Sequence, residues 1–229
     1  EALMHGVSAN LIAERVIELL RNMSRIRYRS AKGSLTAYIH EEILGPLVLA
    51  KDALESGVLG LSITDAILFK QSVLNGIEKS KSLLVKYEDV CLDESLTHGN
   101  LTLENILWDP SSEELKIIDP YAETYCDSII GDVSQLYQSS RSGYEHISQL
   151  YETSSLPICE YPTWSIPDVL VEFSRHLDNL LIVESWYSPE RLQVFRASQF
   201  TRMFPFKLEK RPRDGAAFMM HGISLLSCS

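Results

Sequence analysis

Cysteine is sparse in this 229-residue chain, and basic charge is in deficit. Cys91, Cys126, Cys159 and Cys228 are scattered, with no CxxC pair and no clustering with histidine. That spacing argues against a zinc site and a disulfide framework, and points to a reducing compartment, the cytoplasm. Lys and Arg number 21 against 31 Asp and Glu, a net charge of −10. So acidic a chain lacks the basic surface that neutralises phosphates, so no nucleic acid is expected as a partner. The acidity permits a cationic small-molecule partner, and it also serves solubility alone. No apolar run reaches the ~20 residues that span a bilayer. No basic start with an apolar stretch marks a signal peptide, so no membrane partner is expected. The first residue is Glu1 rather than Met, which suggests a fragment or a processed product. The length suits one domain or two small lobes, and the 45% hydrophobic content is that of a globular protein with a real core.

Most of the chain carries apolar residues at helical spacing. Ser8 is placed to cap a helix through Leu11, Ile12, Val16, Ile17, Leu19 and Leu20. Arg21, Arg25, Arg27 and Arg29 follow, as suits the C-terminal end of a helix dipole or an anionic partner. A second helix starts near Ser34 and should break or kink at Gly45-Pro46. Ser62 or Thr64 caps a third, which carries Ala66 through Ile77. Later helices are expected over Ile129–Ser139, Tyr144–Glu152, Pro167–Glu184, Pro189–Met203 and Asp214–Ser227, with Pro157, Pro162 and Pro167 punctuating a linker. Trp164, Trp186 and Tyr187 suit packing at helix ends.

Strand signal is scarce. Lys86–Thr97 reads as a polar loop. Asn105-Ile106-Leu107-Trp108, the turn Asp109-Pro110-Ser111-Ser112 and Leu115-Lys116-Ile117-Ile118 read as one hairpin, the only clear strand signal. Its returning strand should bring Asp119 to the end of the hairpin where the preceding loop, His98 to Leu103, lies. Asn105 and Asp119 then make a sparse oxygen-ligand set. That suits Mg²⁺, which takes one or two protein oxygens and fills its shell with waters and substrate phosphates. Phosphoryl transfer asks for little more than such positioning and charge neutralisation.

The segment His98-Gly99-Asn100-Leu101-Thr102-Leu103-Glu104-Asn105, followed by Ile118-Asp119-Pro120, resembles the HGDxxxxN catalytic loop and metal-binding strand of aminoglycoside phosphotransferases and choline-kinase-like enzymes. The resemblance is best over residues 96–144. It implies a mainly helical, protein-kinase-like C-terminal lobe spanning 1–229, in three parts: helical 1–85, catalytic loop and hairpin 86–126, helical 127–229. It implies ATP and Mg²⁺ as cofactors, a small-molecule acceptor, Asn105 and Asp119 on the metal and nucleotide phosphates, and His98 supporting the loop. Asp132 matches the helix Asp that stabilises the loop, with Asp127 as its competitor.

Two departures stand out. Asn100 occupies the position of the family's Asp base, and an amide cannot hold a proton at neutral pH. The same exchange marks a natural pseudoenzyme and an experimenter's trapped variant. No Gly-rich hairpin with a strand Lys and a helix Glu is apparent near the N-terminus, where Lys32-Gly33 and Lys51 lie in loop or helical contexts. The resemblance thus implies an ATP-dependent phosphotransferase acting on a small-molecule hydroxyl, with a sugar or polysaccharide precursor suggested by Tyr137 and Gly143-Tyr144-Glu145. The alternative is a pseudokinase that binds or scaffolds. Glu172, Asp178 and Glu184 suit either a solvated face or a cationic acceptor pocket.

Overall fold

The computed structural model describes residues 6–121, 125–144 and 166–227. The protein is mainly helical. Among the described residues no helix is long and apolar enough to cross a membrane. The chain divides into two compact units, one of Glu1–Ala31, Leu92–Gly143 and Trp164–Leu192, the other of Lys32–Cys91, Tyr144–Thr163 and Gln193–Ser229.

In the first unit, helix α1 (Ala9–Arg25) buries Ile12, Val16, Ile17 and Leu20, the predicted stripe. Ser8 sits at its N-cap, but its hydroxyl makes no capping bond, and only its carbonyl engages, accepting from the Ile12 amide. Strand β1 (Arg27–Lys32) follows and pairs with β2 (Cys91–Ser95). This corrects two expectations: the basic flank of α1 is a strand, and the segment expected to be a polar loop holds its partner. Neither run alternates apolar and polar residues clearly, so their pairing is set by neighbours rather than local pattern. The predicted hairpin forms as β3 (Ile106–Asp109) and β4 (Glu114–Ile117), with Ile106 opposite Ile117 and Asp109 opposite Glu114. Its turn is tied by Asp109, whose Oδ1 accepts from the Ser111 amide at 2.9 Å and the Ser111 hydroxyl at 2.6 Å. Those bonds hold the Asp109 carboxyl down at about 2.

Helices α5 (Ile129–Arg141) and α6 (Asp168–Leu181) complete this unit, and α1 packs on α6 over buried Phe173, Leu177 and Leu181. Of the later acidic residues, Asp178 and Glu184 bond across elements while Glu172 pairs within its own helix. Asp178 accepts from the buried Tyr137 hydroxyl at 2.5 Å and pairs with Arg141, whose guanidinium lies 4.2 Å from the Tyr137 ring centre. Burial first, then the Asp178 bond and charge, push the Tyr137 phenol up. Glu184 accepts from Arg21 at 2.7 Å, and Glu172 lies 3.5 Å from His176.

In the second unit, α2 (Ser34–Ile39) does not break at Gly45-Pro46; the expected break or kink takes the form of an irregular turn just before it. The helix runs through a π-helical turn (His40–Leu44) into α3 (Gly45–Glu55). Proline lacks the N–H that would bond the carbonyl four residues back, here that of Glu42. The wide turn shifts the Gly45 amide onto the His40 carbonyl. The Glu42 carbonyl instead accepts from the Thr201 hydroxyl at 2.6 Å. Helix α4 (Ile63–Tyr87) is capped by Ser62, whose hydroxyl oxygen accepts from the Asp65 amide. It continues past Lys81 into what was read as loop. Helices α7 (Pro189–Thr201), α8 (Phe204–Lys210) and α9 (Pro212–Ser227) end the chain. Gly222 on α9 is held small by Thr201, since a Cβ there would stand 2.7 Å from Thr201 Cγ2. Of the expected helix Tyr144–Glu152, only Tyr144 lies within the described residues, as do neither Pro157, Pro162 nor Trp164.

Candidate functional site

The hairpin explains where Asn105 and Asp119 fall. Asn105 immediately precedes β3, and its carbonyl accepts from the Ile118 amide at 3.0 Å, extending the ladder by one step. Asp119 is the next residue, so both side chains stand at the same end of the hairpin, away from the Asp109 turn. A short turn of 3₁₀ helix, Leu103–Asn105, joins β3 to the loop that begins at His98.

That loop is fixed from α5. Asp132, 1% exposed, accepts the His98 amide on one carboxylate oxygen and the Gly99 amide on the other, each at 2.8 Å. One turn further along, Gln135 accepts the Leu101 amide at 2.6 Å and donates to the Gly99 carbonyl at 2.7 Å. Gly99 adopts φ 73°, a left-handed backbone that glycine takes without cost and that lets consecutive amides converge on one carboxylate. Burial pushes the Asp132 carboxyl up to about 7, against the pull of the two amides. Asp127 does not take this role; its carboxylate accepts from the Thr97 hydroxyl at 3.3 Å.

His98 is buried, 2% exposed, and its backbone does the visible work: the carbonyl accepts from Tyr121 at 2.8 Å while the amide meets Asp132. Its ring faces the Ile118 and Asn100 carbonyls, but neither ring nitrogen meets one at full hydrogen-bond geometry. Burial holds the imidazole below its ordinary pKa, with the Ile118 and Asn100 carbonyls and the Asp119 charge pulling the other way. The buried ring thus sits where its charged form is disfavoured.

Asn100, half-buried, donates from Nδ2 to the Asp119 carboxylate at 3.1 Å and to the Asp119 carbonyl at 3.4 Å. Asn105, buried, donates from Nδ2 to the Asn100 carbonyl at 2.8 Å. Asp119 itself is exposed and held at φ 59°, left-handed for a residue with a side chain. Three residues expected at the site are thus joined by side-chain hydrogen bonds: Asn105 to Asn100, and Asn100 to Asp119. The fourth and fifth, His98 and Asp132, lie beneath them as support.

The donor set fits a magnesium ion. Because Asn105 commits its NH₂ to backbone, its Oδ1 is left as an acceptor, and the second Asp119 carboxylate oxygen accepts no bond among the described residues. One amide oxygen and one carboxylate are the protein share Mg²⁺ commonly takes beside waters and phosphates. Among the described residues no group of three or more His, Cys, Asp or Glu forms an all-protein cage.

Gln135 is the site residue that sequence reasoning missed. Its signal was present: it lies three residues after Asp132, on the same helix face. No family model, curated protein or solved structure matches the chain.

Proposed function

We propose that this chain is the catalytic-loop lobe of an ATP-dependent phosphotransferase of the aminoglycoside/choline-kinase type, acting on a small-molecule hydroxyl. A sugar or polysaccharide precursor is the favoured acceptor class. The observation that carries the reading is the convergence of Asn105 and Asp119 at one end of a hairpin, beside a loop whose amides are gathered by Asp132 and Gln135. Scattered polar residues of an unrelated helical domain have no reason to share that order and that bracing.

In this reading Asn105 Oδ1 and the Asp119 carboxylate hold Mg²⁺. The ion, when bound, supplies charge neutralisation on the nucleotide phosphates. Asn100 faces the acceptor hydroxyl. Its Nδ2 is committed to Asp119, so its Oδ1 is the atom left to accept the hydroxyl hydrogen bond and aim the attacking oxygen. The amide cannot retain the proton, which must pass to a phosphoryl oxygen or to water as the new P–O bond forms and the bond to ADP breaks. A missing base costs ~10²–10⁴-fold in rate. Asp132 and Gln135 keep the loop in place and His98 fills the space below it.

The Asn100–Asp119 hydrogen bond favours a second reading, a pseudokinase that binds without transfer, because it occupies part of the proposed metal and acceptor surface with a neutral amide. Asn100→Asp separates the two. In a coupled ADP-release assay with Mg·ATP and a panel of sugars, the phosphotransferase reading predicts acceptor-dependent turnover that is higher in the variant. An Asn100→Asp protein that folds and binds Mg·ATP yet releases no ADP with any acceptor favours the binding module.

A further inference from the structure

We propose that Asn100 is a latch that holds Asp119 in place of a cation, so that position 100 sets how strongly this site demands a divalent metal. The inference rests on the metal-site reading of Asn105 and Asp119 above.

Asp119 has two reasons to move. It is exposed, and it stands in a left-handed backbone conformation that disfavours a residue with a Cβ, aspartate less than most. The only side chain that restrains it among the described residues is Asn100, whose Nδ2 reaches both its carboxylate and its main-chain carbonyl. A hydrogen bond to an ionised carboxylate is the stronger kind. Asn100 is itself placed from its main chain, since its carbonyl accepts from Asn105 Nδ2 at 2.8 Å and from the Thr102 amide at 2.9 Å. The chain Asn105–Asn100–Asp119 is therefore continuous through protein hydrogen bonds.

An aspartate at position 100 reverses the sign of this contact. An oxygen would replace the N–H that now lies 3.1 Å from Asp119 Oδ2, and two carboxylates would face each other with nothing between them. A cation relieves that pair, as does a proton shared between the two carboxyls at lower pH, and each added ligand charge tightens a divalent site. With Asn100 present, the metal has one Asp119 carboxylate oxygen uncontested, competes with a hydrogen bond for the other, and gains one charge fewer.

The test uses the full chain and Mn²⁺ alone, without nucleotide. Free Mn²⁺ is read by electron paramagnetic resonance for the native protein and for Asn100→Asp, and amide hydrogen exchange is read for Asn100→Ala. The expected result is Mn²⁺ affinity at least about tenfold higher in Asn100→Asp. In Asn100→Ala, exchange at the Ile118 and Tyr121 amides, which flank Asp119 and bond to Asn105 and His98, should accelerate about tenfold or more and slow again on adding Mn²⁺. If Asn100→Asp folds only in Mn²⁺, that too is the predicted demand for a cation. Equal Mn²⁺ affinity in the native protein and Asn100→Asp, or unchanged exchange in Asn100→Ala, overturns the latch. Failure of the phosphotransferase reading is seen separately, as an absence of Mg·ATP binding.

Discussion

Replacing Asp132 by alanine should dislodge the loop while leaving the helices standing. The carboxylate is 1% exposed and accepts the His98 and Gly99 amides at 2.8 Å each. Alanine leaves both donors without that partner, the His98 amide buried and the Gly99 amide part-buried. Each orphaned donor costs ~1–3 kcal/mol. With the small cavity, the loss of stability should be about 3–5 kcal/mol, at the severe end for a single substitution. Asp127→Ala is the matched control, because Asp127 lies five positions earlier and its carboxylate accepts the Thr97 hydroxyl at a longer 3.3 Å. Its loss should be about 1 kcal/mol. Urea denaturation at pH 7 measures both. Hydrogen exchange at His98 and Gly99 then shows whether the damage is local, with protection lost there first. A loss under 1 kcal/mol for Asp132→Ala, or an equal loss for Asp127→Ala, would refute the assignment of Asp132 as the brace.

Other consequences follow from the same contacts. The Asp132 carboxyl is raised by burial to about 7, so ionising it costs the folded state. Its contribution is greatest below the unfolded value of ~3.9 and declines as pH rises through about 7. The stability of native protein minus that of Asp132→Asn, by urea titration, should therefore fall between pH 4 and pH 7; a constant difference contradicts the burial argument. Thr201→Val removes the hydroxyl that satisfies the Glu42 carbonyl freed by Pro46 and should cost ~1–2 kcal/mol by thermal unfolding. Gly222→Ala should cost ~1–3 kcal/mol in the same assay, because the added methyl meets Thr201 Cγ2 and the Ala197 carbonyl; a neutral effect would mean that α9 can shift. Gln135→Ala should raise exchange at the Leu101 amide and lower stability by ~1–3 kcal/mol, and an unchanged Leu101 would remove Gln135 from the brace.

Elements written in local pattern were legible. The α1 stripe, a cap at Ser62 or Thr64, the Asp109-Pro110 turn and the β3–β4 hairpin each depend on residues a few positions apart. The placement of Asp119 beside Asn105 follows from the hairpin register alone. Features decided at long range were not legible. Gly45-Pro46 reads as a helix break or kink because the residue that satisfies the freed Glu42 carbonyl, Thr201, is 159 positions from Glu42. Strands β1 and β2 pair although neither shows alternation, and their pairing joins residues separated by the whole of α2, α3 and α4. The choice between Asp127 and Asp132 needed geometry, since both precede or begin the same helix and only one reaches the loop amides. The contact between Asn100 and Asp119 required the backbone twist at Asp119, which nothing in Ile118-Asp119-Pro120 announces.

The most direct test of the account is calorimetric titration of Mg·ATP into the native protein and into Asp119→Ala. The account predicts binding by the native protein that requires Mg²⁺, and a loss of about tenfold or more when the Asp119 carboxylate is removed. Binding that is indifferent to Mg²⁺ and to Asp119→Ala, or no binding by the native protein, would contradict it.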